Sequence, residues 1–258
     1  MRCKDFKLPI NGNIIRGKIF SPSETCKQAP GSVILCHGIP GRKKDPEDPG
    51  YPQLAKILSE AGYQAVAFNF RGAGESTGDF DIVGWSKDLK AVVNYICSTS
   101  DCSPWTVLFG FSAGAAVAVY TGAHDNRIAG LILCGCPADF DSILLETGAN
   151  QFLQHARDVG IIKTPGFPPD LSEWIRGFQV VHPETWIGHI SSASKLILHG
   201  DGDEVVSVDH AYRLYEKAQE PKDLSIIKNG GHRLRLNKEA MKSALEWLNR
   251  KRTEDFPP

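Results

Sequence analysis

Apolar residues in this chain form short runs that alternate with helical patterns. Strand-like runs lie at residues 32–36, 63–70, 105–109, 128–134, 194–198 and 224–228. Apolar residues with helical spacing lie between the first three of these runs, near 51–61 and 84–98. An opening ribbon, residues 5–20, contains the hairpin dipeptide Asn11-Gly12. This alternation predicts an α/β fold with a mostly parallel central sheet and helices on both faces. The polar tail, residues 253–258, is expected to fray.

One segment, residues 137–192, breaks the alternation. It is too long for a simple connection and has helical patterns of its own, together with a Pro-rich turn at 164–169. We therefore predict a core domain of residues 1–136 and 193–258, with a small helical cap, 137–192, inserted after the sixth strand. Aromatic residues of this cap are candidates for lining an acyl or aromatic pocket, although packing the cap onto the sheet is their more ordinary role: Phe152, Phe167, Trp174, Phe178 and Trp186.

Composition limits the function classes. With 258 residues, 41% of them hydrophobic, the chain can bury one large core, and its net charge of −1 gives no electrostatic case for nucleic acid or a membrane surface. The amino terminus has no signal-peptide core, and the 7 cysteines include no C-x-x-C pair, which predicts a cytoplasmic protein with reduced thiols. No clustered metal-ligand set and no complete dinucleotide-binding glycine pattern is present, so neither a metal nor another cofactor is expected. A homodimer is left open.

The most informative motif is Gly110-Phe111-Ser112-Ala113-Gly114. It ends an apolar run and opens a stretch of small residues, which predicts a strand, a sharp turn and a helix with a serine at the apex. A nucleophilic serine needs a histidine as base, and the histidine needs a carboxylate to hold its tautomer. His232 follows the run at 224–228, and Asp201 and Asp203 follow the run at 194–198. Asp139, after the sixth strand, is a further candidate for the acid.

A second loop, residues 37–41, offers a donor for an oxyanion hole. Such a hole needs two backbone N–H groups, one from the residue after the nucleophile and one from a loop after an early strand. Ala113 supplies the first, and Ile39 is the candidate for the second because Pro40 has no N–H. His37 begins this loop, and a structural role is expected for its imidazole rather than a role as a second base.

These motifs together resemble the α/β-hydrolase superfamily. The matching segments are H-G-I-P-G at 37–41, N-F-R-G-A-G-E-S-T-G at 69–78, G-F-S-A-G at 110–114, H-G-D-G-D-E-V-V at 199–206 and G-G-H at 230–232. The chain looks most like small bacterial carboxylesterases, including cinnamoyl and feruloyl esterases, and the serine aminopeptidase-like and acylglycerol lipase-like groups. The resemblance implies hydrolysis of a small-molecule ester, with Asp203 as the acid. Ala113 departs from the Gln or Met that many of these esterases carry there.

Two other functions stay open beside the esterase. A peptidase or aminopeptidase on the same triad would need an acidic anchor for a substrate ammonium, and Glu146, Asp158 and Glu173 of the cap are candidates. A non-catalytic binding protein on a hydrolase fold is the third hypothesis. Arg71, in the loop after the run at 63–70, either ties that loop down or binds a substrate carboxylate.

Overall fold

A computed structural model of the protein describes residues 1–22, 31–41, 48–98, 105–141, 144 and 148–255. Glu146, one candidate anchor for a substrate ammonium, lies outside these residues. Within them the chain forms an eight-stranded sheet in the order β1-β2-β4-β3-β5-β6-β7-β8. Its strands are β1 (Arg2–Ile10), β2 (Asn13–Ser21), β3 (Ser32–Cys36), β4 (Gln64–Asn69), β5 (Thr106–Phe111), β6 (Ile128–Cys134), β7 (Ser194–Gly200) and β8 (Lys222–Ile227).

The sheet is mostly parallel, as the alternating pattern predicts. The pairs β1/β2 and β2/β4 are antiparallel, whereas the pairs β4/β3, β3/β5, β5/β6, β6/β7 and β7/β8 are parallel. The helices are α1 (Gly50–Glu60), α2 (Ile82–Ser98), α3 (Ala113–Ala123), α4 (Ala149–Asp158), α5 (Leu171–Val180), α6 (Pro183–Trp186), α7 (Asp209–Lys217) and α8 (Lys238–Asp255). Among these described helices none combines the length and apolar character needed to cross a membrane.

Both faces of the sheet are covered, which explains the composition of its central strands. All residues of β3 and β5 are buried, since a strand covered on both sides has no polar face to present to water. One apolar layer includes residues of α2 and α3 with the segment after β6, and the other includes residues of α1 and α8. Because β3, β5, β6, β7 and β8 run parallel, their carboxyl ends lie next to each other along one edge of the sheet.

The segment predicted as a cap contains α4, α5, α6 and a short 3-10 helix, Ile187–His189, all between β6 and β7. The helix α5 lies against α2, and α6 lies against α3 and α7. Helices thus occupy the predicted place in the chain. The division into a core of 1–136 and 193–258 and a cap of 137–192 stays a prediction.

The expectation of a frayed tail is wrong for residues 253–255. They belong to α8, which ends at Asp255. The indole Nε1–H of buried Trp105 donates to the Asp255 carboxylate over 2.7 Å. This bond joins the last turn of the helix to the residue just before β5, a long-range contact that local polarity does not reveal. Residues 256–258 lie outside the described part of the chain.

Candidate active site

Ser112 lies at the apex of a strained turn between β5 and α3. Its backbone has φ 52° and ψ −127°, a conformation that costs free energy for a residue with a side chain. A Cβ on Gly110 would lie 2.4 Å from the Cα of Ala115, and a Cβ on Gly114 would lie 2.3 Å from the carbonyl oxygens of Cys36 and His37. The two glycines are therefore required because backbone fills the space that their side chains would need.

The candidate base and acid are directly bonded. The Nδ1 of His232 is 2.7 Å from Oδ2 of Asp203, whose side chain is fully buried. The other oxygen, Oδ1, accepts the backbone N–H groups of Val205 and Val206, each over 2.9 Å. A carboxylate acceptor places the imidazole proton on Nδ1, so Nε2 of His232 keeps its lone pair. The structure thereby gives His232 the tautomer that a general base needs.

Asp203 is held in its ionised form by its partners. Burial alone would raise its pKa, but hydrogen bonds from His199 and His232 and from the Val206 N–H hold the pKa of Asp203 well below its usual range. His199 is a contact that the sequence analysis missed. Its Nε2 lies 2.8 Å from the Val206 carbonyl oxygen and 3.4 Å from Oδ2 of Asp203. The available signal was its place in the segment 199–206, four residues before Asp203.

Gly200 and Gly230 let the loops after β7 and β8 approach each other closely, and Gly135 lies beside the two side chains that these loops carry. A Cβ on Gly200 would lie 2.0 Å from the carbonyl oxygen of Gly230. A Cβ on Gly135, just after β6, would lie 3.4 Å from both Oδ2 of Asp203 and Nδ1 of His232. Asp203 and His232, the candidate acid and base, consequently meet above the carboxyl end of β6, although 29 residues separate them in the chain.

The loop at 37–41 touches the serine. A Cβ on Gly38 would lie 3.0 Å from the Ser112 Cβ and 3.0 Å from the Phe111 carbonyl oxygen. Ala113 is the first residue of α3, so its N–H has no partner inside the helix. Both candidate oxyanion donors, the N–H groups of Ala113 and Ile39, therefore belong to segments in contact with Ser112. That they bind an oxyanion stays a prediction.

A family model described as alpha/beta hydrolase fold matches residues 31–160. The chain belongs to the α/β-hydrolase family. Among curated relatives, YfhR of Escherichia coli O157:H7 is 30% identical over 218 residues, 83% of this chain and 67% of that protein. The lysophosphatidylserine lipase ABHD12 of Bos taurus is 31% identical over 172 residues, 64% of this chain and 40% of that protein. This α/β hydrolase thus spans less than half of the bovine lipase.

Solved structures agree on the fold. The α/β hydrolase GrgF from Penicillium sp. sh18 superposes with a TM-score of 0.75, covering 98% of this chain and 99% of that chain, at 19% identity. At that identity the likeness concerns the architecture alone. Together with the family match, it shows that the fold inferred from the resemblance is correct.

The two alternative acids of this hydrolase have other partners. Asp201 is exposed, and its Oδ1 accepts the N–H of Asn229, which shapes the turn before His232. Asp139 pairs with the guanidinium of Arg213, whose nitrogen lies 2.7 Å from Oδ2. These contacts favour Asp203 as the acid, since it is the carboxylate bonded to His232.

The side chains of His37 and Arg71 each connect a loop to a neighbouring segment. The His37 ring accepts the Phe70 N–H at Nε2 over 3.0 Å, so that lone pair is not available for a second base. Arg71 binds Asp88 with a shortest distance of 2.7 Å, and its carbonyl oxygen accepts the indole N–H of Trp85 over 3.1 Å. The guanidinium therefore holds its loop against α2, which supports the first of the two roles expected for Arg71.

The aromatic residues proposed to line a pocket mostly pack against other aromatic rings of the protein. The rings of Phe152, Trp174 and Phe178 surround Phe80 with centroid distances of 6.4, 5.9 and 6.1 Å, and the Trp174 indole donates to the Phe80 carbonyl. Trp186 lies elsewhere. Its ring contacts those of Tyr120 and His124 at the end of α3, with centroid distances of 5.5 and 4.5 Å. Phe167 is half-buried against the same apolar layer as Phe80. These contacts explain the aromatics as packing residues, and their role in a pocket stays a prediction.

Proposed function

We propose that this α/β hydrolase cleaves carboxylic esters through an acyl-enzyme formed on Ser112. The observation that carries the proposal is the 2.7 Å bond between Nδ1 of His232 and Oδ2 of Asp203. It leaves Nε2 as the basic atom of His232, and it supplies a negative charge to stabilise the imidazolium that forms during the reaction. The strained turn at Ser112 supports the same role, because such strain is commonly stored at functional sites.

The chemistry follows from these positions. Ser112 Oγ attacks the ester carbonyl while Nε2 of His232 takes its proton, and Asp203 orients the ring. The N–H groups of Ile39 and Ala113 bind the oxyanion of the tetrahedral intermediate. The alcohol leaves with the proton from His232. Water then attacks the acyl-enzyme with His232 again as base, which releases the acid and restores Ser112.

Small to medium acyl or aryl esters are the proposed substrates. A relative named as a lysophosphatidylserine lipase agrees with an ester substrate. An aminopeptidase would need an acidic anchor close to the site. Asp158 is exposed and accepts the side-chain amide of Gln154 on the same helix, and Glu173 is exposed in the first turn of α5. Neither the Gln154 contact of Asp158 nor the exposed position of Glu173 favours an ammonium anchor, so the esterase stays the better proposal.

A fluorophosphonate probe tests the proposal. The wild-type protein, Ser112→Ala and a matched control, Ser98→Ala at the exposed end of α2, are labelled and the site is located by mass spectrometry. Labelling of the wild type and of Ser98→Ala at Ser112 is expected, with Ser112→Ala unlabelled and its kcat on p-nitrophenyl esters lower by about 10⁶. A folded wild type that takes no label would favour the binding protein. Faster turnover of aminoacyl p-nitroanilides than of esters would favour the aminopeptidase.

A further inference from the structure

His37 holds the loop at 37–41 through both ring nitrogens. Its side chain is buried, with 6% exposure. Nε2 accepts the backbone N–H of Phe70 over 3.0 Å, and Nδ1 lies 2.8 Å from the carbonyl oxygen of Gly38. One imidazole therefore connects the loop after β3 with the loop after β4.

The direction of these two bonds is fixed by their partners. A backbone N–H can only donate, so Nε2 of His37 carries a lone pair and the single proton of the neutral ring is on Nδ1. That Nδ1–H donates to the carbonyl oxygen of Gly38. Burial lowers the pKa of His37 to about 4, although its bond to Gly38 acts in the opposite direction. The ring is therefore neutral at physiological pH, and both bonds persist.

The Gly38 carbonyl belongs to the same peptide unit as the Ile39 N–H. A trans peptide is planar, and its C=O and N–H point in opposite directions. Fixing the oxygen of this unit on the His37 side consequently fixes the N–H on the opposite side. Without that bond the peptide plane could rotate and turn the N–H away.

Two further contacts hold the His37 ring in place and show that Gly38 lies close to the serine. The rings of Phe70 and Trp85 contact the His37 ring edge-on, with centroid distances of 5.0 and 5.2 Å. Gly38 itself lies so close to Ser112 that a Cβ on it would be 3.0 Å from the Ser112 Cβ. The peptide unit that His37 orients is thus beside the proposed nucleophile.

We infer that His37 is a positioning residue for the oxyanion hole: by binding the Gly38 carbonyl it aims the Ile39 N–H at the oxyanion that forms on attack by Ser112. The inference rests on the proposed function. It predicts that His37 acts on the transition state much more than on the bound ester, because the donor is needed most when negative charge develops.

Two substitutions of nearly equal shape separate this role from packing. The side-chain amide of His37→Asn can still donate to the Gly38 carbonyl but is too short to reach Phe70, whereas His37→Leu can make neither bond. His210→Phe is the matched control. His210 is also buried and also accepts a backbone N–H, that of Ala138 over 3.0 Å, but on α7. Each variant is tested for kcat and KM on p-nitrophenyl butyrate and for binding of a trifluoromethyl ketone, which forms an oxyanion on the serine.

For His37→Leu we expect kcat to fall about 100-fold with KM changed by less than about threefold, and ketone affinity to fall in parallel. His37→Asn should recover kcat to within about tenfold of wild type, and His210→Phe should lose thermal stability but not ketone affinity. Wild-type kcat in a folded His37→Leu, or equal losses in the leucine and asparagine variants, would overturn the inference. If His37→Leu does not fold, a loss of about 100-fold in His37→Asn overturns it.

The proposed function fails in a different way. It would fail if the wild type itself hydrolysed no ester and took no fluorophosphonate. The His37 variants, in contrast, are compared with an active wild type.

Discussion

Two glycines of the same helix should respond very differently to the same added methyl group. In Gly114→Ala the new Cβ would lie 2.3 Å from two backbone oxygens, those of Cys36 and His37, which cannot move without displacing β3. In Gly122→Ala it would lie 3.1 Å from the end of the Leu131 side chain, which can shift by a few tenths of an ångström. Both changes gain about 1 kcal/mol of helix propensity. Overpacking costs about 1–3 kcal/mol, and the rigid contact puts Gly114→Ala at the upper end of that range or beyond.

We therefore expect Gly114→Ala to lose about 2 kcal/mol net, which lowers Tm by roughly 4–8 °C, and Gly122→Ala to stay near the wild type. Circular dichroism during thermal and urea unfolding measures both. Fluorophosphonate labelling should also slow in Gly114→Ala, because the helix start can move only together with the turn at Ser112. Equal stability of the two variants would refute the close approach of α3 to the loop at 37–41.

Three further predictions concern individual charged side chains. Asp203→Asn should lower kcat by about 10⁴, whereas Asp139→Asn should leave it within a few fold, and the reverse order in ester assays would exchange the two acids. Asp88→Ala should cost about 3–5 kcal/mol in urea unfolding because it strands the buried guanidinium of Arg71, and a loss below about 1 kcal/mol would contradict the buried pair. Lys195 is fully buried, and burial lowers its pKa to about 8. The folded state therefore binds fewer protons than the unfolded state between about pH 8 and 10.4, and stability should rise with pH in this window. Lys195→Met should be more stable than the wild type at neutral pH and lose that advantage as pH approaches about 10, and unfolding curves at both pH values decide this.

Local signals were sufficient for most of the fold. The apolar runs at 32–36 and 128–134 coincide with β3 and β6. Strands buried on both faces are apolar along their whole length, so the apolar run begins and ends with the strand. The turn at Ser112 was equally local. Its glycines, serine and following small residues are adjacent in sequence and must adopt the strained turn together. The edge strand β8 was less sharp, beginning at Lys222 rather than 224, since its residues are only half-buried.

The choice of the acid depended on more than spacing. Asp201 and Asp203 share one loop, and local pattern left both open until the resemblance favoured Asp203. In the structure Asp203 reaches His232 while Asp201 accepts the Asn229 N–H. A shift of two residues changes the direction in which a loop side chain points, and only the packed loops after β7 and β8 define that direction.

The sequence by itself determined the order of strands and helices, the turn at Ser112 and the edge of the sheet where the candidate site lies, since all three follow from periodicity and parallel connection. Tertiary structure decided the partners. Phe152 and Trp174 contact Phe80, and Asp255 binds Trp105, and no periodicity in the sequence encodes contacts between residues so far apart in the chain. The bonds of His37 belong to the same class. Which backbone group an imidazole meets depends on how two loops pack, and that is settled only when the whole sheet has formed.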